Sequence, residues 1–314
     1  MTFRLPDHWV WDSWSVHDGA HHHLFFLRAS RALLDPDRRH LRASIGHARS
    51  TDLRSWELLP DALVAADTPA WDDQATWTGS VLRGPDGVWR LFYTGVSRAQ
   101  PDVQRIGVAT SSDLVTWHRT DGPLLSADPR WYETLDPGWH DEAWRDPWVL
   151  SDPDGDGWHM LLTARVRDGE VAGRGVVGHA WSPDLERWEV RPPLSTPAGF
   201  GQLEVPQVAV VDGLPVLVFC CWPDHLSAER RAAWTGGGVW VVPGEGLLGP
   251  WDFARARAVE HPSLYAARLV ADDGSPSGWS LLGFRDREDG AFVGELTDPL
   301  PVVRDGDTLR LLRG

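Results

Sequence analysis

The sequence predicts an all-β fold: a single-domain, five-bladed β-propeller over residues 1–314, without a C-terminal β-sandwich. Three observations predict it: a segment that recurs along the chain, short β-branched or aromatic runs separated by turn signals, and the lack of any amphipathic helix longer than two turns. The recurring segment reads Ile45-Gly46-His47-Ala48 with Ser50, Asp52-Leu53 and Trp56. It returns as Ile106-Gly107-Val108-Ala109 with Ser111, Asp113-Leu114 and Trp117, and as Val177-Gly178-His179-Ala180 with Ser182, Asp184-Leu185 and Trp188. A weaker fourth copy runs from Gly238 to Trp251. The period is about 60 to 70 residues, longer than a β-sandwich explains and typical of radial repetition.

Each copy follows a strand-like run: Leu24–Leu27, Trp89–Tyr93, Trp158–Leu162 and Pro215–Phe219. Pro85-Asp86-Gly87, the Asp152–Gly157 stretch and Asp212-Gly213 supply turns beside them. Leu264–Ala267, Trp279–Leu282 and Ala291–Val293 build a fifth unit, and Thr308–Leu311 is expected to pair with N-terminal residues and close the ring.

Composition narrows the function. Hydrophobic residues make up 42% and charged residues 24%, an ordinary globular balance that excludes disorder and collagen. A net charge of −15 repels phosphate backbones, so no nucleic-acid partner is expected. No apolar run approaches the roughly 20 residues of a membrane span, and the first residues lack a secretory leader pattern, so no membrane partner and a cytoplasmic location are expected. Cys220 and Cys221 are adjacent within an apolar run and read as buried free thiols. There are 20 Trp against 3 Tyr; most should pack blades, and a few should line a sugar site.

Three acids share a register. Asp12 lies 13 residues before Phe25, as Gly79 lies before Phe92 and Glu204 before Leu217, while Asp146 lies 15 before Leu161. Asp12, the Thr78-Gly79-Ser80 turn, Asp146 and Glu204 are therefore expected at matching places in blades one to four, facing one pocket. Each acid sits among aromatic or apolar neighbours, where pKa values are readily perturbed. Convergent carboxyls suit glycosyl transfer, in which a retaining mechanism uses one as nucleophile and another as acid then base.

The same residues resemble the β-fructosidase clan, glycoside hydrolase families 32 and 68 (invertases, levanases and levansucrases). Trp11-Asp12-Ser13-Trp14 is similar to the nucleophile motif of family 68, and Trp77-Thr78-Gly79-Ser80 to a Trp-Ser-Gly-Ser element of the substrate pocket. Arg145-Asp146-Pro147 matches an Arg-Asp-Pro motif, Glu204-Val205-Pro206 resembles the acid/base motif, and Phe92-Tyr93-Thr94-Gly95 resembles family 32. The resemblance implies that Asp12 is the nucleophile, Asp146 the transition-state stabiliser and Glu204 the general acid/base. It implies fructosyl contacts from Trp77, Ser80 and Arg145, with Trp11, Trp14 and Tyr265 at the pocket. The implied activity is that of a retaining β-fructofuranosidase, with fructosyl transfer as a companion reaction, on a fructose-containing oligosaccharide or small fructoside and with no cofactor.

Two other readings stay open: an inverting arabinofuranosidase or xylosidase of the five-bladed family 43, and a non-catalytic sugar-binding propeller. The Asp152–Gly157 stretch lacks the twelfth-position Glu of an EF-hand, where Thr163 stands, and reads as a hairpin turn. His21-His22-His23 alternate across a strand and read as an exposed strand start, not a metal site. His140, Asp141 and Glu142, just before the Arg-Asp-Pro motif, read as a solvated loop, with the leaving-group side of the pocket as the alternative.

Overall fold

A computed structural model describes residues 2–135, 138–234 and 238–312. Its strands form five antiparallel sheets. Blade 1 is β1 (His8–His17), β2 (His22–Ser30), β3 (Ser44–Ser50) and β4 (Glu57–Leu63). Blade 2 is β5 (Ala75–Arg83), β6 (Trp89–Ser97), β7 (Gln100–Ser111) and β8 (His118–Arg119). Blade 3 is β9 (Trp144–Ser151), β10 (Trp158–Arg165), β11 (Gly175–Ser182) and β12 (Glu189–Arg191). Blade 4 is β13 (Glu204–Val211), β14 (Leu214–Cys220), β15 (Val239–Pro243) and β16 (Arg257–Ala258). Blade 5 is β17 (Leu264–Ala271), β18 (Trp279–Glu288), β19 (Ala291–Leu296), β20 (Leu300–Asp305) and β21 (Thr308–Leu311). The first strands of successive blades, β1, β5, β9, β13 and β17, lie innermost and pack against one another around the axis.

Local chemistry explains the elements. The second strands are fully apolar at their centres, as in Phe25-Phe26 and Val216-Leu217-Val218-Phe219, because neighbouring blades cover both faces. Asp212 and Gly213 both take positive φ (48° and 73°), which closes the β13–β14 hairpin in two residues. The recurring Ser-x-Asp-Leu segment caps the outer hairpin of blades 1 to 3. Asp113 Oδ1 accepts the backbone N–H groups of Val115 and Thr116 and the Ser111 hydroxyl. Leu114 is thereby held at φ 64° with its side chain buried, and the Trp117 indole donates to its carbonyl.

Two expectations need correction. Thr308–Leu311 pairs with β20 inside blade 5; the N-terminal contact is instead Phe3, bridged to Leu296 at the end of β19. Phe3 also packs on Phe26 and Trp56, so apolar contact steers the N-terminus there. His23 is buried, not exposed: its Nδ1 pairs with His47 Nε2 at 2.9 Å and its Nε2 with Asp18 at 3.2 Å. The Asp152–Gly157 stretch links β9 to β10, and Cys220 and Cys221 are buried free thiols.

Candidate active site

All five innermost strands carry a β-bulge at the same level. The register of each breaks between Trp11 and Ser13, between Trp77 and Gly79, opposite Leu161–Thr163, between Glu204 and Gln207, and between Tyr265 and Arg268. A bulge re-aims the side chains beside it, and repeated around a ring it aims five segments at one point. In four blades the bulged residue is a non-glycine at positive φ: Asp12 (20°), Asp146 (58°), Val205 (53°) and Ala266 (42°). Such conformations carry strain and concentrate at functional sites. In blade 2 the bulged residue is Thr78, and the glycine after it is required because a Cβ there would lie 2.0 Å from the Phe92 carbonyl oxygen.

The bulge corrects the expected register by one residue. Asp12 aligns with Thr78 and Asp146, not with Gly79, while Glu204 stands one residue earlier, level with Trp11, Trp77, Arg145 and Tyr265. The site is thus two stacked rings. The upper is Trp11, Trp77, Arg145, Glu204 and Tyr265; the lower is Asp12, Thr78, Asp146, Val205 and Ala266. All of these except Ala266 line one cavity of about 310 Å³. Trp14 and Ser80 do not line it. They sit two residues beyond the bulge, where Trp14 stacks on Phe25 at 6.2 Å and the Ser80 hydroxyl accepts the Val149 N–H at 3.3 Å.

Each carboxylate is held from a neighbouring blade. The Thr78 hydroxyl donates to Asp12 Oδ2 at 2.5 Å. Asp146 Oδ2 accepts the Thr163 hydroxyl at 2.7 Å and the Val205 N–H at 3.0 Å, and its own N–H donates to Thr94. Arg145 donates to Glu204 Oε1 at 2.6 Å, and the Tyr265 hydroxyl donates to Oε2. Arg145 is itself fixed by Gln104, Asp141 and Gln202 at 2.8 to 3.1 Å, a fork of donors matched by acceptors on three sides. Asp141, expected in a solvated loop, is therefore a buried partner of Arg145.

The electrostatics follow from burial and crowding. Asp12 reaches the cavity's solvent, but protein surrounds its other sides; burial first, then the charge of Asp146, pushes its carboxyl up to about 7. Burial also raises Asp146, opposed by Arg145. The same group raises the Arg145 guanidinium, since three acids around it outweigh its burial.

Aromatic walls complete the cavity. His40, from the 3-10 segment Pro36–Arg42, sits edge-on to Trp11 and Trp77, and its carbonyl accepts the Trp77 indole N–H at 2.7 Å. Trp222 stacks on Tyr265 at 4.4 Å on the opposite side. His140 and His225 stack at the rim, with Trp139 against both. The sequence reading missed Arg39, His40, Gln104, Trp222 and His225. A readable signal existed for some: the link between the second and third strands is long in blades 1 and 4, where Arg39, His40, Trp222 and His225 reside, but a tight turn in blade 2.

Comparison with known proteins agrees with the propeller fold. The model described as the glycosyl hydrolases family 32 N-terminal domain matches residues 13–242. The insoluble β-fructofuranosidase isoenzyme 3 of Oryza sativa subsp. indica is 28% identical over 221 residues, covering 67% of this chain and 34% of the relative. The extracellular sucrase of Zymomonas mobilis is 26% identical over 297 residues, covering 78% of this chain and 69% of the relative. The chain thus spans about a third of the length of the plant β-fructofuranosidases it matches. Among solved structures, the inulosucrase of Halalkalicoccus jeotgali bound to kestose superposes with a TM-score of 0.78 at 23% identity, over 98% of this chain and 87% of that one.

Proposed function

The chain belongs to glycosyl hydrolase family 32, and from that premise we propose that it hydrolyses β-D-fructofuranosides through a covalent fructosyl-enzyme, with a sugar acceptor able to replace water. The observation that carries this reading is the meeting of Asp12, Asp146 and Glu204 around one cavity of about 310 Å³, each held by a partner from an adjacent blade. That volume is at the small end for ligand sites and suits one furanose ring with part of its neighbour.

The roles follow from which oxygens are held. Both aspartates are fixed through Oδ2, which leaves Oδ1 for the sugar. Asp12 attacks the anomeric carbon as the bond to the leaving oxygen breaks, and Glu204 gives that oxygen its proton. Water then attacks the same carbon, Glu204 takes a proton from it, and the Asp12 ester is released. Asp146 lies beside the developing oxocarbenium charge and accepts ring hydroxyls. Trp11, Trp77 and Tyr265 bound the sugar with apolar faces.

The rice and Zymomonas relatives are named for fructofuranoside and sucrose chemistry, and the superposed inulosucrase holds kestose; these support the substrate class. The test is a panel of sucrose, inulin and levan oligosaccharides, difructose anhydrides and aryl arabinofuranosides, followed by NMR of the first-formed product. We expect fructose released as the β-anomer. Release of the α-anomer, or turnover of arabinofuranosides alone, would replace this reading with the inverting one.

A further inference from the structure

One buried cation has no part in the contacts above. Arg268, on β17, is 3% exposed, and none of its three guanidinium nitrogens has a hydrogen-bond partner among the described residues. Buried donors are almost always satisfied, so this side chain calls for an explanation. Its guanidinium lies 5.0 Å from the ring centroid of Trp148, on β9. Blade 5 thus reaches past blade 4 to touch blade 3, which places the charge in the central channel. Trp148 is two residues beyond Asp146, and Arg268 is two residues beyond the bulged Ala266, so the guanidinium lies just under the lower ring. Burial pushes its guanidinium down to about 10, opposed by the charges of Asp146 from β9 and Asp12 from β1, while burial keeps the nearby Cys220 thiol on β14 neutral. Gln207, the neighbour on β13, is neutral and bonds the backbone of Leu269.

We infer that Arg268 acts through the two aspartates: it is the counter-charge beneath the floor of the site that lets Asp12 and Asp146 be ionised at the same time. Arg145 divides its charge among Glu204, Asp141 and Asp146, the last at 3.5 Å through its Nε. Arg39 acts on Asp12 from the cavity wall, but its guanidinium lies over the Phe292 ring at 3.9 Å. Arg268 makes no ion pair with either aspartate among the described residues, but its charge acts on both from outside the cavity lining, which leaves the sugar's space free. Without hydrogen-bond partners it supplies charge and no geometry. The inference rests on the fructosidase reading only for its effect on turnover; the charge pairing is read from stability.

The test is thermal unfolding of the full chain as wild type, R268M and R268K, at about pH 5 and about pH 8, in the native and D12N/D146N backgrounds. At the lower pH the Asp12 carboxyl is largely protonated and needs no counter-charge; at the higher pH it is ionised. R268M should therefore lose Tm at both values, with the deficit larger at the higher pH by about 3 °C or more. R268K should recover that extra loss, and D12N/D146N should abolish it. If R268M folds only in the D12N/D146N background, the pairing is upheld. An equal deficit at both pH values, no recovery by R268K, or failure to fold in both backgrounds would overturn it. Absence of any fructosidase activity would leave this readout intact and count against the functional proposal instead.

Discussion

Glu204 differs from the two aspartates in having both oxygens engaged, one by Arg145 and one by Tyr265. In the acid role proposed for it, Glu204 would give up and regain a proton in each cycle, with two fixed donors holding its carboxyl plane. Glutamine keeps the shape and loses the proton. Glu204→Gln should therefore lower kcat on sucrose or inulin oligosaccharides by about 10²- to 10⁴-fold, with a smaller loss on a donor whose leaving group needs no protonation. Steady-state kinetics on the two donor types checks this; equal losses on both would remove Glu204 from the acid role.

At the scale of the element, the recurring Ser-x-Asp-Leu segment and the innermost bulges set the blades. The first was legible in the sequence because it is made by local side-chain-to-backbone bonds, which need fixed residue types at fixed spacing. Asp113→Ala deletes the acceptor for two N–H groups and two hydroxyls, and should cost about 1 kcal/mol of stability with kcat unchanged. Denaturant unfolding beside an activity assay measures both; an unchanged midpoint would show that the turn holds without its acid.

The bulges were not legible. A bulge shifts register by one residue while leaving strand composition alone, so the ruler drawn from the second strands set Glu204 level with Asp12 and placed Gly79 where Thr78 stands. The motif residues still converged, because a one-residue slip at the mouth of the funnel moves a side chain between adjacent rings and not out of the site. Trp14 and Ser80, two residues further along, fell below it. Arg39, His40 and Trp222 come from links between strands, whose path depends on tertiary packing and not on the repeat.

At the scale of the whole molecule, five similar sheets arranged around an axis bring together residues as distant in sequence as Asp12 and Tyr265. The N-terminus is tied to blade 5 through Phe3 and Leu296, so the blade that carries Asp12 is anchored to the blade that carries Tyr265. The central claim is that this closure makes Asp12 the residue that takes the sugar. It is tested by rapid acid quench of the Glu204→Gln chain during reaction with β-fructosyl fluoride, followed by mass analysis of its peptides. The account predicts one fructosyl unit on the peptide carrying Asp12, absent in the Asp12→Asn/Glu204→Gln chain. A fructosyl unit on any other residue, or turnover of the fluoride with no adduct formed at all, would contradict it.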